Sequence, residues 1–77
     1  KMLLKELQTR DVVNVVDGSK LGKITDIEID FETGKILEIT ITKNKYLFGL
    51  GETKINVPWE KVEKIGGEVI IVNVNNE

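Results

Sequence analysis

The chain has 77 residues and a formal net charge of −2, a length that suits one domain over residues 1–77. It contains neither cysteine nor histidine, which excludes disulfides, thiolate metal sites and every histidine-dependent catalytic triad. The acidic balance argues against general binding to nucleic acid or to an anionic membrane, and the longest apolar run, 69–72, is far too short to span a bilayer.

The composition predicts an all-β protein. Valine and isoleucine supply 19 of the 31 apolar residues, six threonines add further β-branched side chains, and alanine is absent. β-Branched side chains pack well on a pleated sheet, whereas alanine is the strongest helix former. The glycines fall between the β-branched runs, where turns are expected.

The first elements along the chain are a helical turn and a strand. Leucines within residues 3–7 recur at helical spacing, which predicts one short turn of helix. Residues 10–16 are typical of a strand, and the turn at 17–20 follows it. Gly18 supplies the positive φ that a tight turn demands.

The next strand, over residues 21–31, changes the phase of its alternation between Ile24 and Ile27. One extra residue in a strand is a β-bulge, and a bulge bends the strand. Asp26 lies at this point, so we expect its carboxylate to accept backbone N–H bonds there and to hold the bend.

A hairpin turn over residues 32–35 then reverses the chain, with Gly34 in the left-handed position. The return strand begins at Ile36 and shows polar residues at alternate positions. After the longest connection, residues 53–57 form a short strand.

Pro58 ends that strand because proline cannot donate to a β-ladder, and it opens a helical turn near 59–62. We expect Trp59 to fill the core beneath this turn. Gly66 lies in the last turn, before a final strand at 69–74. Five to six short strands with a bulge and glycine corners predict a small closed or nearly closed barrel.

Several short motifs occur in one order along nearly the whole chain. They are Leu4, Val12-Val13, Gly18, Leu21-Gly22-Lys23-Ile24, Asp26–Asp30, Thr33-Gly34, Val57-Pro58-Trp59, Ile65-Gly66 and Val69–Val72. Together they resemble the PRC-barrel family, in particular its small stand-alone members, some of which are sporulation-related. The resemblance implies a six-stranded β-barrel without shared catalytic residues. It also implies an adaptor role, since relatives occur in the photosynthetic reaction centre H subunit and in a ribosome maturation factor.

A row of carboxylates, Asp26, Glu28, Asp30 and Glu32, is the first candidate site. Residues two apart on a strand share a face, and carboxylates are ligands for Ca²⁺ and Mg²⁺. Carboxylates in such a row diverge from any single point, and the ligand spacing of an EF-hand is absent. We therefore favour a solvated face over a divalent-cation site, and we expect no metal and no cofactor.

Catalysis is not predicted. Ser19 has no histidine or strand-to-helix elbow beside it, and the single GxG at 49–51 lacks the third glycine of a phosphate-binding loop. We expect no catalytic residue and no enzymatic activity.

The connection at 43–52 carries large apolar residues where polar ones are the norm; they are Tyr46, Leu47, Phe48 and Leu50. They either cap the end of the barrel or offer a partner a hydrophobic loop. Lys43 and Lys45 beside two aromatics also resemble a stacking platform for RNA, although two cations are few for such binding.

Two strands are apolar on both faces, which calls for a second layer over the sheet. That layer is either the N-terminal turn or a second subunit. We expect a twofold homodimer, the commonest oligomer. The expected interface residues are Val13, Val15, Val69 and Ile71.

These observations predict a cytoplasmic, non-catalytic adaptor that associates with itself and presents a hydrophobic loop to a protein partner whose identity the sequence does not encode. The alternatives are an RNA- or ribosome-associated adaptor and, third, a divalent-cation-binding domain. Binding to nucleic acid is not favoured.

Overall fold

The computed structural model describes residues 1–44 and 51–75, which form one six-stranded sheet and two short helical turns. The elements in chain order are α1 (Leu4–Leu7), β1 (Asp11–Asn14), β2 (Lys20–Ile29), β3 (Ile36–Asn44), β4 (Glu52–Pro58), a 3₁₀ turn (Trp59–Lys61), β5 (Val62–Ile65) and β6 (Val69–Val72). The all-β class, the six strands and the helical turns near 3–7 and 59–62 are confirmed. Within the described ranges, no helix has the length and apolar character needed to cross a membrane.

The strands lie in the order β4-β3-β2-β1-β6-β5. Every neighbouring pair is antiparallel except β1 and β6, which run parallel. The expectation of a closed barrel was wrong: over the described residues β4 and β5 are free edges, and no ladder joins them. Pro58 and the 3₁₀ turn separate these two strands along the chain, and proline has no backbone N–H to donate to a ladder.

The β2–β3 ladder shifts its register between Ile24 and Asp26, where the sequence alternation changes phase. Oδ1 of Asp26 accepts the N–H of Ile27 at 2.9 Å. The hydroxyl of Thr25, the residue without a partner in the register, hydrogen-bonds to that of Thr42 at 2.7 Å. The bulge is therefore held by polar side chains on the strand surface.

Gly22 lies where the backbone of β3 leaves no room for a side chain on β2. Its φ is +131°, and a Cβ built on it would lie 2.2 Å from the carbonyl oxygen of Thr42. Real Cβ atoms do not approach backbone this closely, so only glycine fits this position. The same stretch of sequence thus sets both the bend of β2 and its distance from β3.

The core lies on one face of the sheet. Its fully buried side chains are Val12, Ile24, Ile39, Ile41, Val57, Ile70 and Val72. Half-buried Trp59 packs against this cluster from the 3₁₀ turn, and Leu7 packs against it from α1. The two helical turns therefore extend the core beyond the sheet.

Asn14 is buried among these apolar residues, with 1% of its surface exposed. Its Oδ1 accepts the N–H groups of Val16 and Val74, both at 3.2 Å, and its Nδ2 donates to the carbonyl of Val74 at 2.9 Å. A buried amide is tolerated only when it is hydrogen-bonded in this way.

Both strands of the parallel pair are shorter than the sequence pattern predicts. β1 ends at Asn14 instead of residue 16, and β6 ends at Val72 instead of residue 74. Asn14 explains both ends, since its side chain binds backbone groups of Val16 and Val74 that a longer ladder would have used.

Candidate interaction surfaces

The parallel pairing of β1 and β6 places two apolar side chains side by side on the face opposite the core. Val12 and Ile70 are buried and paired, so the next pair, Val13 and Ile71, lies on the other face. Both are half-buried, and neither belongs to the core cluster or to the side chains packed against it. We call this region the outer β1–β6 face.

The two other residues expected at a dimer interface lie at the ends of this face. Val69 pairs with Asp11 and is 37% exposed, while Val15 follows β1 and is 51% exposed. The structure thus gathers Val13, Val69 and Ile71 around one strand pair and places Val15 just beyond its end.

Charged side chains border this face on both sides. Lys64 of β5 pairs with Ile71, and Lys20 of β2 pairs with Val13. The carboxylate of Asp11 lies 3.7 Å from the amine of Lys20 and 3.6 Å from that of Lys23. An apolar centre with a charged rim is the arrangement found at protein interfaces.

The N-terminal turn supplies one residue to the core and leaves others exposed. Leu7 packs against the core cluster, whereas Leu3 and Leu4 are 60% and 55% exposed. Leu3 and Leu4 therefore do not form the buried second layer that the sequence allowed them to supply.

The carboxylate row divides between two places. Asp26 and Glu28 line an open groove of about 350 Å³ on the β2–β3–β4 surface, together with Ile27, Glu38, Thr40 and Asn56. Asp30 and Glu32 lie at the hairpin turn instead, where Oδ1 of Asp30 accepts the N–H of Glu32 at 2.9 Å. Among the residues the structure describes, no three carboxylates are grouped closely enough to hold a metal ion.

Glu38 is a member of this groove that the sequence analysis did not single out. It pairs directly with Glu28 across the β2–β3 ladder. Its place in the alternation of the return strand indicated the face, but the register that sets it opposite Glu28 depends on the register shift between Glu28 and Ile29.

One titratable group in the described part of the chain has a clearly shifted pKa. The hydroxyl and the backbone N–H of Ser19 both donate to the carboxylate of Asp17 and hold its pKa below the ordinary 3.8. This carboxylate is fully exposed in the turn after β1, so the interaction stabilises the turn and forms no pocket.

The predicted partner loop, Tyr46, Leu47, Phe48 and Leu50, lies outside the described residues, as does Lys45. Of the two lysines proposed for RNA contact, the structure describes Lys43, whose amine donates to the carbonyl of Lys20 at 3.3 Å.

The structure shows another exposed apolar region, at the end of the β2–β3 hairpin. Phe31 is 101% exposed, Ile29 is 55% exposed and Leu37 is 47% exposed. Sequence reasoning counted Phe31 with the apolar residues of its strand, whereas the chain leaves the ladder after Ile29 and turns at Phe31.

The model of the PRC-barrel domain matches residues 1–77, the whole chain. The chain belongs to the PRC-barrel family. The match covers both strands of the parallel pair, the bulged hairpin and the 3₁₀ turn, so the features described above are features of one PRC-barrel domain.

Relatives of similar length occur in Bacillus subtilis and Clostridium acetobutylicum. The probable sporulation protein YlmC of Bacillus subtilis is 42% identical over 94% of this chain and 91% of its own length. The uncharacterised protein YmxH of the same organism is 36% identical over 99% of this chain and 93% of its own length. An uncharacterised protein of Clostridium acetobutylicum is 33% identical over 95% of this chain and 85% of its own length.

Proposed function

We propose that this PRC-barrel chain is a non-catalytic, cytoplasmic protein-interaction module that forms a homodimer through the outer β1–β6 face. The observation that carries the proposal is the pairing of Val13 with Ile71 on the face opposite the core. From the likeness to the probable sporulation protein YlmC alone, we further propose a sporulation-related setting.

Two physical arguments support a second copy as the layer over this face. A sheet that is apolar on both faces is more stable when a second layer packs on each face. Each CH₂ group removed from water stabilises the packed state by about 0.8 kcal/mol. In a twofold dimer both copies use the same surface patch, so each apolar contact occurs twice and a small patch buries twice the area. The lysines at the edges can extend their charged ends into water while their stems cover apolar surface.

Substitution of Ile71 by lysine tests the proposal. A lysine at the centre of the interface must leave water on dimerisation, so we expect Ile71→Lys to be monomeric at concentrations where the original chain is dimeric. Light scattering after size-exclusion chromatography measures the mass, and circular dichroism shows whether the sheet remains.

Ile29→Lys is the matched control, since it makes the same chemical change at an isoleucine that is 55% exposed at the far end of the hairpin. The proposal predicts that this variant keeps the mass of the original chain. If both variants keep the original mass, or both lose it, the outer β1–β6 face is not the dimer interface.

A further inference from the structure

The end of the β2–β3 hairpin, residues 28–38, combines exposed apolar side chains with uncompensated negative charge. We call it the hairpin end. Phe31 is fully exposed, and about half of each of Ile29 and Leu37 is exposed as well. Exposed large apolar side chains gathered at one end of a hairpin make this end a candidate contact surface.

The charge of the hairpin end is strongly acidic. Four carboxylates lie within it, and Lys35 is its single cation; the carboxylates are Glu28, Asp30, Glu32 and Glu38. Glu28 and Glu38 face each other in the ladder, an arrangement that destabilises a sheet. The ion pairs between described residues involve Asp11 and Glu52 and none of these four carboxylates.

The backbone of the hairpin end is held in one conformation. The N–H of Gly34 donates to the carbonyl of Asp30, and the N–H of Asp30 donates to the carbonyl of Lys35, both at 2.8 Å. Gly34 has a φ of +75°, and Oδ1 of Asp30 accepts the N–H of Glu32. A turn closed by these hydrogen bonds leaves less backbone entropy to lose when Phe31 is bound.

We propose that the hairpin end docks a basic amphipathic segment of a partner protein, an inference that rests on the proposed role as an interaction module. Apolar side chains of the partner cover Phe31 and Leu37, while its lysines or arginines lie beside Glu28 and Glu38. The partner's cations relieve the repulsion between the two facing glutamates, which makes the fit selective. Nucleic acid and anionic membranes carry the same sign of charge as this surface and are repelled by it.

Fluorescence anisotropy of a labelled helical peptide built from leucine and lysine tests this docking. We expect the full chain to bind the peptide at low salt and Phe31→Ala to weaken binding about tenfold, because exposed aromatic anchors carry much of an interface's energy. The double variant Glu28→Gln/Glu38→Gln should weaken it by roughly threefold at low salt and show little difference at high salt.

Matched controls distinguish binding at the hairpin end from general hydrophobic or electrostatic attraction to the protein surface. Val16→Ala removes another exposed apolar side chain, and Glu60→Gln/Glu68→Gln removes two exposed carboxylates elsewhere. Both should bind like the original chain. Peptides in which serine replaces leucine, or glutamate replaces lysine, should bind at least about tenfold more weakly.

Three binding results would each overturn the inference: equal binding by Phe31→Ala and Val16→Ala, equal binding of the serine–lysine peptide, or tighter binding of single-stranded RNA than of the leucine–lysine peptide. The mass of each variant, measured in the same samples, keeps the two proposals apart. Loss of peptide binding with an unchanged dimer mass supports docking at the hairpin end. If Phe31→Ala becomes monomeric, the hairpin end binds a second copy and the inference is wrong. If the original chain is monomeric yet binds the peptide through Phe31, the dimer proposal fails alone.

Discussion

The side chain of Asn14 binds the backbone of Val74 twice, donating to its carbonyl at 2.9 Å and accepting its N–H at 3.2 Å. Asn14 ends β1, and Val74 lies two residues beyond the end of β6. The side-chain amide therefore replaces the backbone hydrogen bonds that would continue the parallel ladder beyond Asn14 and Val72. It ties the segment after β6 to the turn after β1 without continuing either strand.

We predict that Asn14→Ala lowers the free energy of unfolding by about 2–3 kcal/mol, because backbone groups of Val74 and Val16 lose their buried partner. Urea denaturation measures the loss. Asn56→Ala is the control: its amide is exposed and bonded to the hydroxyl of Thr40, so the expected loss is under about 1 kcal/mol. Equal losses in the two variants would contradict the role of Asn14 as a buried clamp.

Gly22→Ala should be among the most destabilising single-methyl additions in the chain. The new Cβ would lie 2.2 Å from the backbone of Thr42 at a φ that other residues rarely adopt, so we expect a loss of about 3 kcal/mol or more. Gly67→Ala adds the same methyl group where no atom lies within 4 Å, and should change stability by less than about 0.5 kcal/mol. Thermal unfolding followed by circular dichroism compares them, and a small effect at Gly22 would mean that β2 and β3 separate readily.

The turn after β1 should weaken at low pH. Since Ser19 holds the pKa of Asp17 below 3.8 in the folded chain, ionised Asp17 contributes stability above that pH, and the contribution is lost as the pH falls through the lowered pKa. The stability difference between the original chain and Asp17→Asn should therefore be constant above about pH 5 and shrink below it. Ser19→Ala, which removes the hydroxyl donor, should reduce this pH dependence; an unchanged profile would argue against the Ser19 contact.

Trp59 is the single tryptophan and packs on the core from the 3₁₀ turn. We predict that its fluorescence shifts to the red on unfolding, in step with loss of the sheet signal. Trp59→Ala should cost about 2–4 kcal/mol, since it leaves apolar neighbours uncovered, and Trp59→Phe should cost less. A fluorescence transition well before loss of the sheet would show that the 3₁₀ turn detaches on its own.

Local features of the fold follow from local sequence signals. The phase change between Ile24 and Ile27 indicated the bulge, and Gly18 and Gly34 lie in turns at φ values of +73° and +75°. Pro58 marked the end of β4 one residue early. Each of these depends on a few neighbouring residues, which is why the sequence predicts them.

Features that depend on distant residues were missed. An alternation pattern shows which residues share a face but not which strands form the edges, so the open sheet was expected to close. Asn14 was passed over as one polar residue among valines, because its partner Val74 is 60 residues away. Glu38 and the exposure of Phe31 likewise depend on hairpin register and on where the ladder ends.

Sedimentation equilibrium of the unmodified chain at micromolar concentration measures whether it forms the proposed dimer. The chain has a mass of 8.7 kDa, and we expect a species of twice that mass. Ile71→Lys should dissociate this species, whereas Ile29→Lys should not. A monomer at every concentration studied would contradict the proposal that the outer β1–β6 face is covered by a second copy.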